Sequence, residues 1–203
     1  MPSILFERAF HLAHAYFPQG GQLLEFGVGC GDTYLFQAEW IVRKYANSRL
    51  IGFDSFQGLP EEAPHVWRPE RHRAGQFAYT MDHVKARLAT VASPGDTRFS
   101  FVEGYYETSL TPMAREGIDN VIFVNIDVDL YVSTLQVLDF ILPLLRPNVI
   151  IYWDDWKDPE DANPEPWGEH RAWDEWLAKH PEVDCETLEV NRFNQRSMEI
   201  VST

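Results

Sequence analysis

Apolar positions along this chain fall into short continuous runs that alternate with stretches of helical spacing. Leu5, Ala9, Leu12 and Tyr16 predict an amphipathic helix over ILFERAFHLAHAYF. Pro18, Gly20 and Gly21 end it, and Leu23 to Phe26 reads as a first buried strand that runs into GVGCGD. A helix follows through Tyr34, Leu35, Ala38, Ile41, Val42 and Tyr45, with Asp32 or Thr33 placed to cap it. Leu50 to Phe53 makes a second strand, Asp82 to Val91 a helix, and Phe99 to Val102 a third strand. VIFVNIDVDLYVST, residues 121–134, is a fourth strand leading into a helix from about Ser133 to Leu145, which Asp129 or Ser133 can cap. VIIYWDDW, residues 149–156, is a fifth. The tail holds a helix in RAWDEWLAKH and two alternating runs, CETLEVNRF and SMEIVS, suited to a hairpin around Asn194 and Gln195.

Strands alternating with helices, closed by two strands of antiparallel sense, predict an α/β fold: a doubly wound, mostly parallel sheet with helices on both faces. The ligand crevice of such a sheet lies at the carboxyl ends of its strands, where strand order reverses. Here that point falls between LLEFGVG and VIFVNID. Absence of repeats or linkers makes residues 1–203 a single domain. Two aperiodic loops, about 58–80 and 156–170, read as lids. The first carries Arg68, Arg71, His72 and Arg73, which a self-neutralised surface with Glu61, Glu62 and Glu70 explains as well as a ligand contact does.

Gly27, Gly29 and Gly31 form GxGxG between strand and helix, where backbone approaches a nucleotide-like ligand closely. Asp54, ending the next strand, is placed to accept the hydroxyl protons of a ribose. Gly104 and Tyr105 follow the third strand and suit a flat ring such as adenine, although Tyr105 in the core fits the pattern equally well. Asp127 and Asp129 end the fourth strand, and Asp154 and Asp155 end the fifth. Four carboxylates in one crevice repel one another unless protonated or bridged, and a hard divalent ion such as Mg2+ is the economical bridge. No Cys/His spacing favours zinc.

A formal net charge of -14 argues against nucleic acid and anionic membrane surfaces and suits a small, neutral or cationic partner. Two cysteines, Cys30 and Cys185, form no disulfide framework, so a cytoplasmic location is the expectation. The amino-terminal apolar run is too short to span a bilayer and is interrupted by Glu7 and Arg8.

LLEFGVGCGDT, IGFDSFQGLPEE, EGYYETSL, IDVDLYVST, IYWDDW and GEHRAWDEW occur in the order and at about the spacing seen in the macrocin, mycinamicin and novobiocin O-methyltransferases. The chain resembles that family from Leu23 to Trp176, most specifically in FDSFQGLP and IDVDLYVST. The resemblance implies a Rossmann-like class I methyltransferase sheet of seven strands. It also implies S-adenosylmethionine and Mg2+ as cofactors, and a small hydroxylated acceptor, such as a sugar of a glycoside or natural product. Glu25, Gly27 and Gly29 would surround the methionine part of the cofactor, Asp54 and Ser55 its ribose, and Gly104 and Tyr105 its adenine. Asp127 would border the cofactor and, with Asp154 and Asp155, hold the metal; Asp129 would be the general base. Asn148 stands where the family usually carries glycine.

Two other classes stay open on sequence grounds. A nicotinamide-dependent oxidoreductase would use the same glycines and Asp54, but no Tyr-x-x-x-Lys relay is evident. A non-catalytic module could bind a basic partner through its acidic, tryptophan-bearing tail. Oligomeric state is also open, a homo-oligomer included.

Overall fold

The computed structural model describes residues 2–61, 72–156 and 167–203. Much of both predicted lids, with Arg68 and Arg71, lies outside the described residues. The element order is α1 (Ile4–Tyr16), β1 (Gln22–Phe26), α2 (Asp32–Arg43), β2 (Arg49–Asp54), α3 (Met81–Leu88), β3 (Phe99–Glu103), α4 (Tyr106–Ser109), β4 (Val121–Ile126), α5 (Tyr131–Ile141), a 3-10 turn (Leu142–Leu144), β5 (Ile150–Trp153), α6 (Gly168–Leu177), β6 (Asp184–Val190) and β7 (Arg196–Ser202). The seven strands form one sheet in the order β3-β2-β1-β4-β5-β7-β6. β7 runs antiparallel to both β5 and β6, and the other pairings are parallel.

Strand periodicity divides the core into two layers. Leu23, Leu50, Ile150 and Tyr152 pack with α1 and α2 residues on one face. Their neighbours Leu24, Phe53, Ile151 and Trp153 pack with α5 and α6 residues on the other. β1, β4 and β5 are therefore buried on both faces, which is why their sequences read as unbroken apolar runs. β6 is a sheet edge, and the charges of DCETLEV keep that edge in water.

Several expectations are corrected. Gly31, in the left-handed region at φ 88°, caps α2 without a side-chain bond, in place of Asp32 or Thr33. Leu130 precedes α5, again with no side-chain cap, so neither Asp129 nor Ser133 has that role. α5 ends at Ile141 because Pro143 cannot continue it and the chain tightens into a 3-10 turn. Tyr16 is exposed; the buried stripe of α1 is Leu5, Phe6, Ala9, Phe10 and Ala13. α3 is shorter than predicted, ending at Leu88. Asn148 takes φ 71°, a conformation glycine adopts freely and asparagine tolerates. Trp153, Trp156, Trp167, Trp173 and Trp176 are all buried, so these tryptophans of the tail build core and offer no exposed interface.

Candidate active site

Backbone hydrogen bonds continue across the sheet beyond the strand ends. Gly104 N donates to Asp54 O (2.9 Å), Gly27 N to Phe53 O (3.0 Å), Asp127 N to Phe26 O (3.0 Å) and Asp154 N to Ile126 O (3.0 Å). These links hold the loops after β3, β2, β1, β4 and β5 in one row. The loops line a cleft of about 1260 Å3 that includes Gly27, Gly29, Asp54, Ser55, Gly104, Tyr105, Asp127, Asp129, Asp154 and Asp155. The crevice thus opens at the predicted reversal of strand order, between β1 and β4.

The glycines of the first loop have different jobs. A Cβ on Gly27 would lie 1.7 Å from Asp127 O, so Gly27 is required for β1 and β4 to approach at all. A Cβ on Gly29 would meet nothing within 4 Å, so its bare surface faces open cleft. Asp54 organises this loop: Oδ2 accepts from Val28 N (2.8 Å) and Gly29 N (2.9 Å), and Oδ1 accepts from Phe56 N (2.7 Å). Burial pushes the Asp54 pKa up, and those backbone donors oppose the shift. Ser55 Oγ accepts from Gln57 N and donates to Gly58 O, closing the following turn.

Glu25 lies beneath the loop, fully buried, and is not among the cleft-lining residues. It accepts from Thr33 Oγ1 (2.8 Å) and from Gln37 Nε2, and faces Asn125 in register across β4. Desolvation raises its pKa to about 8 despite those donors. Thr33 lines the cleft, so Glu25 reaches it through a hydroxyl. On the far side of the loop, Tyr105 lines the cleft and Tyr106, donating to Phe53 O (3.2 Å), anchors the strand end.

At the β4 and β5 ends, Asp127, Asp154 and Asp155 bring carboxylate oxygens within 4.8 Å of one another. Burial pushes the Asp127 pKa well up, and the charges of Asp154, Asp155, Asp129 and Glu169 push it further. Asp154 Oδ1 accepts from Tyr152 Oη (3.1 Å) and from Gln195 Nε2 (2.6 Å). Asp129 sits in the left-handed region at φ 59°, with Oδ1 3.2 Å from His72 Nε2. Gly168 is packed so closely on Asp129 that a Cβ there would come within 2.7 Å of its carbonyl oxygen.

Sequence reasoning missed several members of this end. Glu169 is buried and bridges two loops, accepting from Val128 N (3.1 Å) and Asp155 N (3.1 Å). Gln195 and Phe193 arrive from the β6–β7 turn, and Ser3 from the start of α1. Two of them carried a readable signal: Glu169 lies in GEHRAWDEW, and Tyr152 stands two residues before Asp154 on the same strand face. Among the described residues, no helix is long and apolar enough to cross a membrane.

A family model described as "Methyltransferase domain" matches residues 24–156. A curated relative from Streptomyces olivaceus, 8-demethyl-8-(2,3-dimethoxy-alpha-L-rhamnosyl)-tetracenomycin-C 4'-O-methyltransferase, is 27% identical over 143 residues. That match takes in 67% of this chain and 53% of the relative, so the chain spans about half the length of the curated protein it matches. Among solved structures, the O-methyltransferase NovP superposes with a TM-score of 0.74 at 21% identity, covering 97% of this chain and 79% of NovP. The calicheamicin methyltransferase CalS11 gives a TM-score of 0.65 at 24% identity over 95% of this chain and 79% of its own. Both likenesses concern the fold: a seven-stranded, Rossmann-like class I methyltransferase sheet.

Proposed function

Because the chain belongs to the methyltransferase-domain family, we propose that it moves the methyl group of S-adenosylmethionine to a hydroxyl of a small molecule, with Mg2+ held by Asp127, Asp154 and Asp155. The observation that carries this reading is one cleft with two differently built ends. The open surface of Gly29 suits close approach of a cofactor, and three converging carboxylates suit a hard cation. An all-oxygen donor set fits magnesium rather than a softer metal. The tetracenomycin relative acts on a rhamnosyl group by its name, which supports a sugar of a glycoside or natural product as the acceptor.

In this reading Asp54 receives the ribose hydroxyls with the carboxylate that also fixes the glycine loop. Gly104 and Tyr105 border the adenine, and Glu25 acts on the methionine end through Thr33. Asp127 borders both the cofactor and the cation. A bound cation would lower the acceptor hydroxyl's pKa and fix its oxygen. Asp129 accepts the hydroxyl proton as the O–CH3 bond forms and the C–S bond of the donor breaks, leaving S-adenosylhomocysteine. His72 and Gly168 keep Asp129 in place for that transfer.

Calorimetry checks the cofactor, and mass spectrometry of sugar-bearing acceptors incubated with S-adenosylmethionine checks the transfer. The expected results are one S-adenosylhomocysteine site and acceptor products heavier by one methyl group. No S-adenosylhomocysteine binding, with NADH stabilising the protein against heat instead, would contradict the proposal and restore the oxidoreductase alternative.

A further inference from the structure

Asp154 stands at the end of a directional hydrogen-bond chain that begins in the first turn of α1. Phe6 N donates to Ser3 Oγ (3.2 Å), the N-cap of the helix. Ser3 Oγ lies 3.1 Å from Tyr152 Oη, and Tyr152 Oη donates to Asp154 Oδ1 (3.1 Å). Each hydroxyl has one proton. With the Tyr152 proton on Asp154, the Ser3 proton must point at Tyr152, so all donors run toward the carboxylate. Tyr152 is fully buried, and its ring stands edge-on to Phe6 at 5.0 Å, which fixes where the hydroxyl lies.

A second donor reaches the same oxygen from the opposite end of the sequence. Gln195 Nε2 donates to Asp154 Oδ1 (2.6 Å), and its amide is oriented by Asn191, whose Nδ2 donates to Gln195 Oε1 (2.7 Å). Asn191 is itself fixed, because its Oδ1 accepts from Phe193 N (2.8 Å) and Gln195 N (3.2 Å). The β6–β7 turn is therefore built to present one amide N–H to one carboxylate oxygen.

We infer that Tyr152 and Gln195 are positioning residues that clamp Asp154 in its cation-binding orientation, with Ser3 coupling the clamp to the amino-terminal helix. This rests on the reading of Asp127, Asp154 and Asp155 as a cation site. Donors in the shell behind a metal ligand typically set affinity by about 10–100-fold. Such an effect separates a clamp from ordinary core packing.

The test uses the full chain and Mn2+ as the probe, followed by loss of the free-ion signal in electron paramagnetic resonance. Tyr152→Phe keeps the ring and removes only the hydroxyl; Gln195→Ala removes the amide. Each is expected to raise the Mn2+ Kd about tenfold or more, while S-adenosylhomocysteine affinity stays at the wild-type value and Tm falls by no more than the loss of a buried hydrogen bond accounts for. Ser3→Ala is expected to weaken Mn2+ binding in the wild-type background and to add nothing to Tyr152→Phe. Mn2+ affinities within twofold of wild type, or parallel losses in Tm and S-adenosylhomocysteine affinity, would overturn the inference. Wild-type protein that binds no Mn2+ would overturn the cation reading itself, a result distinguishable from a clamp that does not matter.

Discussion

The two ends of the cleft handle buried negative charge in opposite ways. At the β1–β2 end, Asp54 is enclosed by its own loop, and backbone N–H groups of Val28, Gly29 and Phe56 answer its carboxylate. At the β4–β5 end, Asp127 meets more acid: Asp154, Asp155, Asp129 and Glu169 all raise its pKa, on top of burial. At the first end backbone donors oppose the burial that raises the Asp54 pKa, and no neighbouring acid leads that shift. At the second, acid faces acid, and in the proposed reading a cation would relieve that repulsion.

The difference is broken most severely by Asp127→Asn. Turnover is expected to fall by at least about a thousandfold, in line with loss of a charge-stabilising element, and Mg2+ binding should disappear in calorimetry. The Tm of the chelated protein should not fall, because the substitution removes like-charge repulsion. A clear Tm drop would mean that Asp127 holds the fold together as Asp54 does.

Asp54→Ala tests the other end and should behave differently. It strands three loop N–H groups, at roughly 1–3 kcal/mol for an unsatisfied buried group. Tm should fall by several degrees and S-adenosylhomocysteine affinity by about a hundredfold, an energy equivalent to about 2.7 kcal/mol. Retained Tm with lost affinity would show that Asp54 serves only the ligand.

The glycine loop sharpens the comparison further. Gly27→Ala forces a Cβ into Asp127 O and should leave the protein largely unfolded by circular dichroism. Gly29→Ala meets no protein atom, so it should keep its fold, at about 1–3 kcal/mol for the left-handed backbone, and lose S-adenosylhomocysteine binding in calorimetry. Equal outcomes for the two variants would erase the distinction between packing glycine and ligand glycine.

The most gradual effect concerns Glu25. Its folded pKa of about 8 exceeds the ordinary 4.5, so the folded state binds the proton more tightly than the unfolded chain. The resulting stability is fully present below about pH 4.5 and is lost as pH rises through about 8. Within that window this one group removes up to about 1.4 kcal/mol of stability per pH unit. Denaturant titrations of Glu25→Gln in chelator should show a correspondingly flatter pH dependence than wild type.

The parallel strands, the glycine loop and the acid pairs were legible because burial on both faces writes unbroken apolar runs, and their abrupt ends mark the crevice. Helix caps were less legible: Gly31 caps α2 from the left-handed region and Leu130 caps α5 from an extended backbone, neither with a side-chain bond, in place of the polar residues that propensity favours. Contacts between distant segments left no periodic trace. Glu169 pairs with backbone N–H groups of two loops, and Gln195 reaches Asp154 from the last hairpin. Likewise, His72 meets Asp129 at the β4 end, whereas the sequence showed His72 only as part of a basic cluster.

Chelation tests the central claim most directly. In EDTA, methyl transfer should vanish while S-adenosylhomocysteine still binds in calorimetry, and excess Mg2+ should restore turnover. Full transfer in chelator would contradict the account and leave Asp127, Asp154 and Asp155 as structural acids.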